Sequence, residues 1–241
     1  MPPDYAASDE QSGVVSIHGT GLDAWIWDEM TPALEVPHLP VTFPDRNGDR
    51  EGRGGLGLPD YVDHVCRQIA EWPPTELVVV AHSIGGVIGK EVARVLADRA
   101  VGFVGVCATI PEPGGSFLSC YPFPQRLIQR VVMRVAGTKP PDGVVRKSLC
   151  NGLSEPQADR IVEQFRPESQ KLYTDTSLAD VPDVPSLYVK TLDDDELSPA
   201  LQETMVANLQ PRAVVTIDSG HMPMLSHPNH LAASVNEFTA E

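Results

Sequence analysis

The sequence predicts an α/β fold, with a doubly wound, mostly parallel sheet of about six strands and a small helical cap insertion. Residues 77–81 and 101–108 are apolar runs without polar alternation, which is typical of strands covered on both faces. Helix-like stretches separate these runs, and such alternation favours a parallel sheet. The 241 residues suit one domain of this class, which we expect to span residues 1–241.

The predicted elements follow one another regularly along the chain. Short apolar runs predict strands at 14–17, 39–43, 77–81, 101–108, 186–191 and 213–217. Amphipathic spacing predicts helices at 23–34, 59–71, 84–97, 199–209 and 229–238.

The rhythm breaks between the fourth and fifth predicted strands. One crossover with its helix takes about 30 residues, whereas residues 111–185 are about twice that and are rich in proline. Helix-like pieces lie at 125–135 and 157–165. Because this segment joins strand ends, where open α/β sheets bind ligands, we interpret it as a cap over a site. The core is then about 13–110 and 186–241, and a surface insertion unrelated to the site is the alternative.

Composition excludes several classes of function. The chain has 33 acidic and 18 basic residues, a net charge of −15. Such a charge repels phosphate backbones and anionic lipid, so we expect neither a nucleic-acid nor a membrane partner. The first residues lack the basic and apolar regions of a signal peptide. The four cysteines show no Cys-x-x-Cys spacing, so we expect free thiols, no metal site and a cytoplasmic location.

Ser83 carries the strongest local signal for chemistry. Ala81, Ser83 and Gly85 form a small-x-Ser-x-Gly motif directly after an apolar strand and before a helix pattern. At such a turn the strand and helix approach so closely that only small residues fit on either side of the serine. The pentapeptide alone is a weak signal, but its position makes Ser83 a candidate nucleophile.

A serine hydroxyl needs a base before it can attack at neutral pH. Among the seven histidines, His221 directly follows the last predicted strand, and it is therefore expected at the same sheet edge as Ser83. The base in turn needs an orienting acid. Asp193, Asp194 and Asp195 follow the strand at 186–191, and their adjacency leaves the choice among them open.

Backbone N–H groups are also needed to stabilise a negatively charged tetrahedral intermediate. Thr20, after the first strand, and Ile84, after the serine, are placed to supply them. Gly19 lets the backbone approach a substrate closely.

With these elements in this order, the chain resembles the α/β-hydrolase family over about residues 13–110 and 186–241. It is most similar to the compact esterase and hydroxynitrile-lyase branch, which begins directly with this first strand. The matching residues are His18, Ala24–Trp27, residues 81–86 and Gly220-His221.

The resemblance implies a role for each matched position. Ser83 is the nucleophile, His221 is the base, and the N–H groups of Thr20 and Ile84 form the oxyanion hole. The family's spacing from Tyr188 and Pro199 favours Asp194 as the acid, ahead of Asp195 and Asp193.

One departure from the family pattern bears on the reaction. The lyases of this branch carry Thr directly after the first His and Lys directly after the catalytic His. Here those positions are Gly19 and Met222. The resemblance therefore implies an esterase rather than a lyase.

Three residues are candidates for substrate binding: Gly19, Trp25 and Met222. Trp25 and Trp27 point in different directions, so we expect one in the core and the other facing the site. Met222 either lines an acyl pocket or fills a gap in the core. Two cap arginines, Arg126 and Arg130, favour a solvated face over a carboxylate clamp.

We therefore predict a serine hydrolase without a cofactor. Its substrate is an ester or thioester of a small apolar or aromatic molecule, cleaved through an acyl-enzyme on Ser83. An acyltransferase with the same residues, or a non-catalytic binding protein of this fold, is the alternative. The sequence leaves the oligomeric state open.

Overall fold

The computed structural model of the protein describes residues 12–44 and 55–240. Its centre is a six-stranded parallel sheet in the order β2-β1-β3-β4-β5-β6. The strands are β1 (Ser12–Ile17), β2 (His38–Val41), β3 (Glu76–His82), β4 (Ala100–Val106), β5 (Ser186–Thr191) and β6 (Ala213–Ile217). The predicted fold class is confirmed.

The strand order creates a crevice beside β1. This strand pairs with β2 on one side and with β3 on the other, so the winding of the chain reverses there. Ligands of open α/β sheets bind outside the carboxyl ends of the strands at such a reversal. The residues that follow β1 and β3 therefore face a common site.

Helices cover both faces of the sheet. They are α1 (Leu58–Ala70), α2 (Gly85–Leu96), α3 (Phe123–Ala136), α4 (Asp142–Leu149), α5 (Glu155–Gln164), α6 (Gln170–Thr174), α7 (Pro199–Leu209), α8 (Pro223–Ser226) and α9 (Pro228–Thr239). Within the described residues, no helix is long and apolar enough to cross a membrane.

The core has two layers, one on each face of the sheet. Alternate residues of β3 enter different layers: Val79 packs with α1, α2 and α7, whereas Val80 packs with α8 and α9. Because both faces are buried, the strand is apolar along its whole length, which is the pattern that predicted it.

The helix expected at 23–34 is wrong. The chain forms two 3₁₀ helices instead, Ala24–Trp27 and Thr31–Ala33. Pro32 lacks the N–H that a continuous α-helix would bond to the carbonyl four residues earlier. Thr31 also turns its hydroxyl back to the carbonyl of Trp27, at 2.8 Å.

The cap segment, residues 111–185, contains α3 to α6 and a 3₁₀ helix, Phe117–Cys120. The predicted pieces at 125–135 and 157–165 correspond to α3 and α5. The short helices α4 and α6 were not predicted, because a helix of eight residues or fewer shows little periodicity.

Two neighbouring residues of α2 hold the two ends of the cap segment. The buried Lys90 donates a hydrogen bond from Nζ to the carbonyl of Pro111, at 2.6 Å. Glu91 Oε1 accepts hydrogen bonds from Ser177 Oγ and from the N–H groups of Leu178 and Ala179, at 2.8–2.9 Å. Because α2 begins just after Ser83, the cap is attached to the helix that follows the candidate nucleophile.

We predict that Glu91→Ala lowers the free energy of unfolding by about 2–4 kcal/mol, because it leaves three donors without their acceptor. Urea denaturation followed by circular dichroism measures the change. Arg94→Ala is the control. It removes the exposed partner of the same carboxylate, 3.0 Å away, and should cost at most about 1 kcal/mol. Equal losses in the two variants would contradict the role given to Glu91.

Candidate active site

Ser83 occupies a sharp turn between β3 and α2. Its φ of 55° lies in the left-handed region, which is unusual for a residue with a side chain. Three backbone hydrogen bonds hold it there. The Ser83 N–H donates to Val106, at 3.3 Å, and its carbonyl accepts from Gly86 and Thr109, at 3.0 and 2.9 Å. The turn thus fixes the serine at the carboxyl end of the sheet.

The glycines after Ser83 are required by close backbone contacts. A Cβ on Gly85 would lie 2.7 Å from the carbonyl oxygen of Ile17 and 2.8 Å from that of His18. A Cβ on Gly86 would lie 2.5 Å from the carbonyl oxygen of Thr109. Side chains cannot be accommodated at these distances, so the motif reflects the approach of α2 to the end of β1.

Asp194 is the one member of the acidic triplet that turns inward. It is buried, whereas Asp193 and Asp195 are exposed. Its Oδ1 accepts hydrogen bonds from the N–H groups of Glu196 and Leu197, at 2.9 and 2.8 Å. This arrangement decides among the three aspartates that the residue pattern had left open.

The other oxygen of Asp194 binds His221. Oδ2 accepts hydrogen bonds from Nδ1 of His221 and from Oγ of Thr191, each at 2.8 Å. With its proton on Nδ1, a neutral His221 carries its lone pair on Nε2. That nitrogen is the one available to take a proton.

Each partner in this buried pair stabilises the charged form of the other. Burial by itself would raise the pKa of Asp194, but His221 and the hydrogen bonds from Leu197 and Thr191 outweigh it, so the pKa lies below its ordinary value. Burial would lower the pKa of His221, but the charge of Asp194 outweighs it and holds that pKa well above the ordinary value.

His82 positions the backbone of His221. The two imidazole rings are 4.7 Å apart, and Nε2 of His82 donates to the carbonyl of His221, at 2.9 Å. Sγ of Cys107 donates to the same carbonyl, at 3.4 Å. Burial lowers the pKa of His82 to about 3, so its imidazole stays neutral beside the catalytic pair. The sequence analysis gave His82 no role, because its contact with His221 joins distant parts of the chain.

A set of potential metal ligands coincides with these hydrogen bonds. Atoms of His82, Cys107 and His221 lie within 4.8 Å of one another. However, His82 and Cys107 direct their hydrogens to the His221 carbonyl, and His221 is bound to Asp194. These contacts account for the cluster as support for His221, and the predicted absence of a metal site stays a prediction.

The loop at residues 18–21 lies directly against the nucleophile. A Cβ on Gly19 would be 2.9 Å from Cβ of Ser83 and 2.9 Å from Nδ1 of His82. Thr20 follows in a half-buried position, and Ile84 is buried next to the serine. The structure thus brings Gly19, Thr20 and Ile84 to one junction, as their order along the chain had suggested.

The cap segment holds this loop in place. The hydroxyl groups of Thr20 and Tyr173 are hydrogen bonded, and the carbonyl of Gly21 accepts from the N–H of Arg166, at 3.0 Å. Gly21 has a φ of 72°, and a Cβ there would lie 2.2 Å from the ring of Phe165. Tyr173 was not identified from the sequence, because nothing local distinguishes it from a core tyrosine.

The two tryptophans have different surroundings. Trp27 is fully buried, and its ring meets the ring of His82 edge-on, at 6.4 Å. Trp25 is half-buried, and the guanidinium of Arg160 on α5 stacks on it, at 3.9 Å. Met222 is fully buried in the core layer that contains α8 and α9. Roles for Trp25 and Met222 in substrate binding stay predictions.

Comparison with known proteins places this geometry in a family. A model of the alpha/beta hydrolase family matches residues 14–235. A pyrethroid hydrolase from Sphingobium wenxiniae is 25% identical over 246 residues, which cover 93% of this chain and 86% of that protein. Putative methylesterase 14, chloroplastic, from Arabidopsis thaliana is 25% identical over 258 residues, 95% of this chain and 72% of that protein.

A solved structure shows the same fold. The extracellular alpha/beta-hydrolase from a Paenibacillus species has a TM-score of 0.82 with this protein, at 20% identity. The match covers 93% of this chain and 98% of that chain.

We predict that Asp194→Asn lowers the pKa of His221, because the carboxylate charge that stabilises the imidazolium is removed. The titration of the His221 imidazole followed by NMR measures this pKa. Asp193→Asn and Asp195→Asn are matched controls that remove exposed charges from the same turn, and they should leave it nearly unchanged. A larger shift in either control would show that Asp194 is not the partner of His221.

Proposed function

Because the chain belongs to the alpha/beta hydrolase family, we propose that it is a carboxylic ester hydrolase that works through an acyl-enzyme on Ser83. One observation carries the proposal. The buried 2.8 Å hydrogen bond between Asp194 and His221 lies at the same sheet edge as the strained Ser83. Relatives named as a methylesterase and a pyrethroid hydrolase support an ester as the bond that is cleaved.

The first half of the reaction forms the acyl-enzyme. Nε2 of His221 takes the proton from Oγ of Ser83 as Oγ attacks the ester carbonyl carbon. Asp194 keeps the ring in the required tautomer and stabilises the imidazolium. The tetrahedral intermediate then collapses, and His221 delivers the proton to the departing alcohol.

The second half releases the acid. A water molecule gives a proton to His221 and attacks the acyl carbon, and Ser83 leaves with that proton returned to its oxygen. In both halves the N–H groups of Thr20 and Ile84 stabilise the charge on the carbonyl oxygen. Such donors are effective because they are already oriented before the charge develops.

The substrate proposed is an ester or thioester of a small, largely apolar or aromatic molecule. The cap places an aromatic cluster beside the 18–21 loop. The ring of Phe117 is 5.5 Å from that of Tyr173 and 5.3 Å from that of Tyr121. Aromatic walls favour apolar ligands and add contact energy when rings pack edge-on.

The location and partners of the protein remain part of the proposal. The four cysteines are free thiols, Cys66, Cys107, Cys120 and Cys150. They support the cytoplasmic location expected from the sequence. A small-molecule substrate is the partner proposed, and no cofactor takes part in the steps above.

We predict that Ser83→Ala lowers kcat for a short p-nitrophenyl ester by at least about 10³-fold, because the nucleophile is lost. Circular dichroism should show an unchanged fold. A fluorophosphonate probe should label the native protein at Ser83, as mass spectrometry can establish. Full activity in the variant, or an unlabelled Ser83, would contradict an acyl-enzyme at this residue.

We also predict that Gly19→Ala lowers kcat by about 10–100-fold, because its methyl group would displace Ser83 or the oxyanion donors. Steady-state kinetics with the same ester measure the effect. Gly143→Ala is a matched control in α4, where nothing lies within 4 Å of the added Cβ. A native kcat for Gly19→Ala would show that the contact between Gly19 and Ser83 is unimportant for the reaction.

A further inference from the structure

A second cavity, of about 320 Å³, lies on the cap between α3, α6 and the 3₁₀ helix at Phe117–Cys120. Apolar side chains and guanidinium groups line it together. The principal lining residues are Leu118, Phe123, Leu127, Arg126, Arg130 and Thr174. A cavity with this lining fits a molecule that has an apolar body and a negatively charged end.

The two arginines of this cavity carry no internal ion pair. Arg126 and Arg130 are four residues apart on α3, so their side chains lie on one face of the helix. Among the residues that the structure describes, no carboxylate lies within ion-pair distance of either, whereas Arg94 and Arg146 are paired. This contrast occurs in a chain with 33 acidic and 18 basic residues.

The hydroxyl groups of the cavity are already used within the cap. Oγ of Ser119 donates to the carbonyl of Ser116, at 2.7 Å, and Oγ1 of Thr174 donates to the carbonyl of Gln170, at 3.2 Å. The guanidinium groups are therefore the main donors left for a ligand. Their planar N–H pairs match the two oxygens of a carboxylate.

The cavity adjoins the active site through one aromatic layer. Thr174 on its wall follows Tyr173, whose hydroxyl is bonded to Thr20. Leu118, also on its wall, follows Phe117, whose ring is 5.5 Å from that of Tyr173. A ligand in the cavity therefore lies one side-chain layer away from the loop that faces Ser83.

We propose that Arg126 and Arg130 form a subsite for a carboxylate at the far end of the ester substrate. The substrate class is then a half-ester of a dicarboxylic acid, with an apolar chain between the ester and the free carboxylate. This inference rests on the proposed ester hydrolysis. It also gives the arginines a purpose, because the net charge of −15 would otherwise repel such a substrate.

Kinetics with two matched esters test the subsite. Mono-p-nitrophenyl suberate carries the remote carboxylate, and p-nitrophenyl octanoate has the same chain length without it. The ratio of kcat/KM for suberate to that for octanoate should fall about 10-fold in the double variant Arg126→Gln/Arg130→Gln, mainly through KM for suberate. Added salt should reduce the ratio in the native enzyme and have less effect in the variant.

Arg134→Gln is the matched control. Arg134 continues the same line of arginines one turn further along α3, but it is not among the lining residues of the cavity. Its ratio should equal that of the native enzyme. An unchanged ratio in the double variant, or an equal fall in the control, would overturn the subsite.

A binding measurement separates this inference from the proposed hydrolysis. Calorimetric titration of Ser83→Ala with mono-p-nitrophenyl suberate should show binding that weakens about 10-fold when Arg126 and Arg130 are replaced by Gln. This result would support the subsite even if the native protein cleaved neither ester. Equal affinity with and without the arginines would overturn it, whatever the outcome of the kinetics.

Discussion

The close packing of α2 against the ends of β1 and β4 is the constraint on which the rest of the site depends. Gly85 and Gly86 allow contact distances that no side chain could tolerate, and Ser83 is held in a left-handed conformation between them and β3. Strain of this kind costs about 1–3 kcal/mol and persists only where the surroundings enforce it. Here the hydrogen bonds from Ser83 to the end of β4 and to the residues after it provide that enforcement.

A buried charge pair is the second constraint, and its cost explains its surroundings. Removing a carboxylate from water is expensive unless it is paired and fully hydrogen bonded. Asp194 meets this requirement with four hydrogen bonds, two to N–H groups of its own turn, one to Thr191 and one to His221. The same contacts that offset the desolvation also fix the orientation of the imidazole.

The cap segment contributes to the site in addition to covering it. Its residues Phe165, Arg166 and Tyr173 hold the loop that contains Thr20, while Lys90 and Glu91 attach its ends to α2. The geometry of the proposed oxyanion donors is therefore coupled to the folding of the cap. The arginine-lined cavity belongs to the same layer, so substrate selection and the positioning of these donors involve neighbouring residues.

Local physical requirements were readable from the sequence alone. Strands buried on both faces must be apolar throughout, and a strand–turn–helix junction must have small residues, so the fold class, Ser83 and the placement of His221 could be predicted. The choice of Asp194 over its neighbours was decided by tertiary structure, because it depends on where Glu196, Leu197 and a histidine from another strand end direct their N–H groups. Tyr173 and the cavity of the cap likewise arise from contacts between distant segments, which no local pattern records.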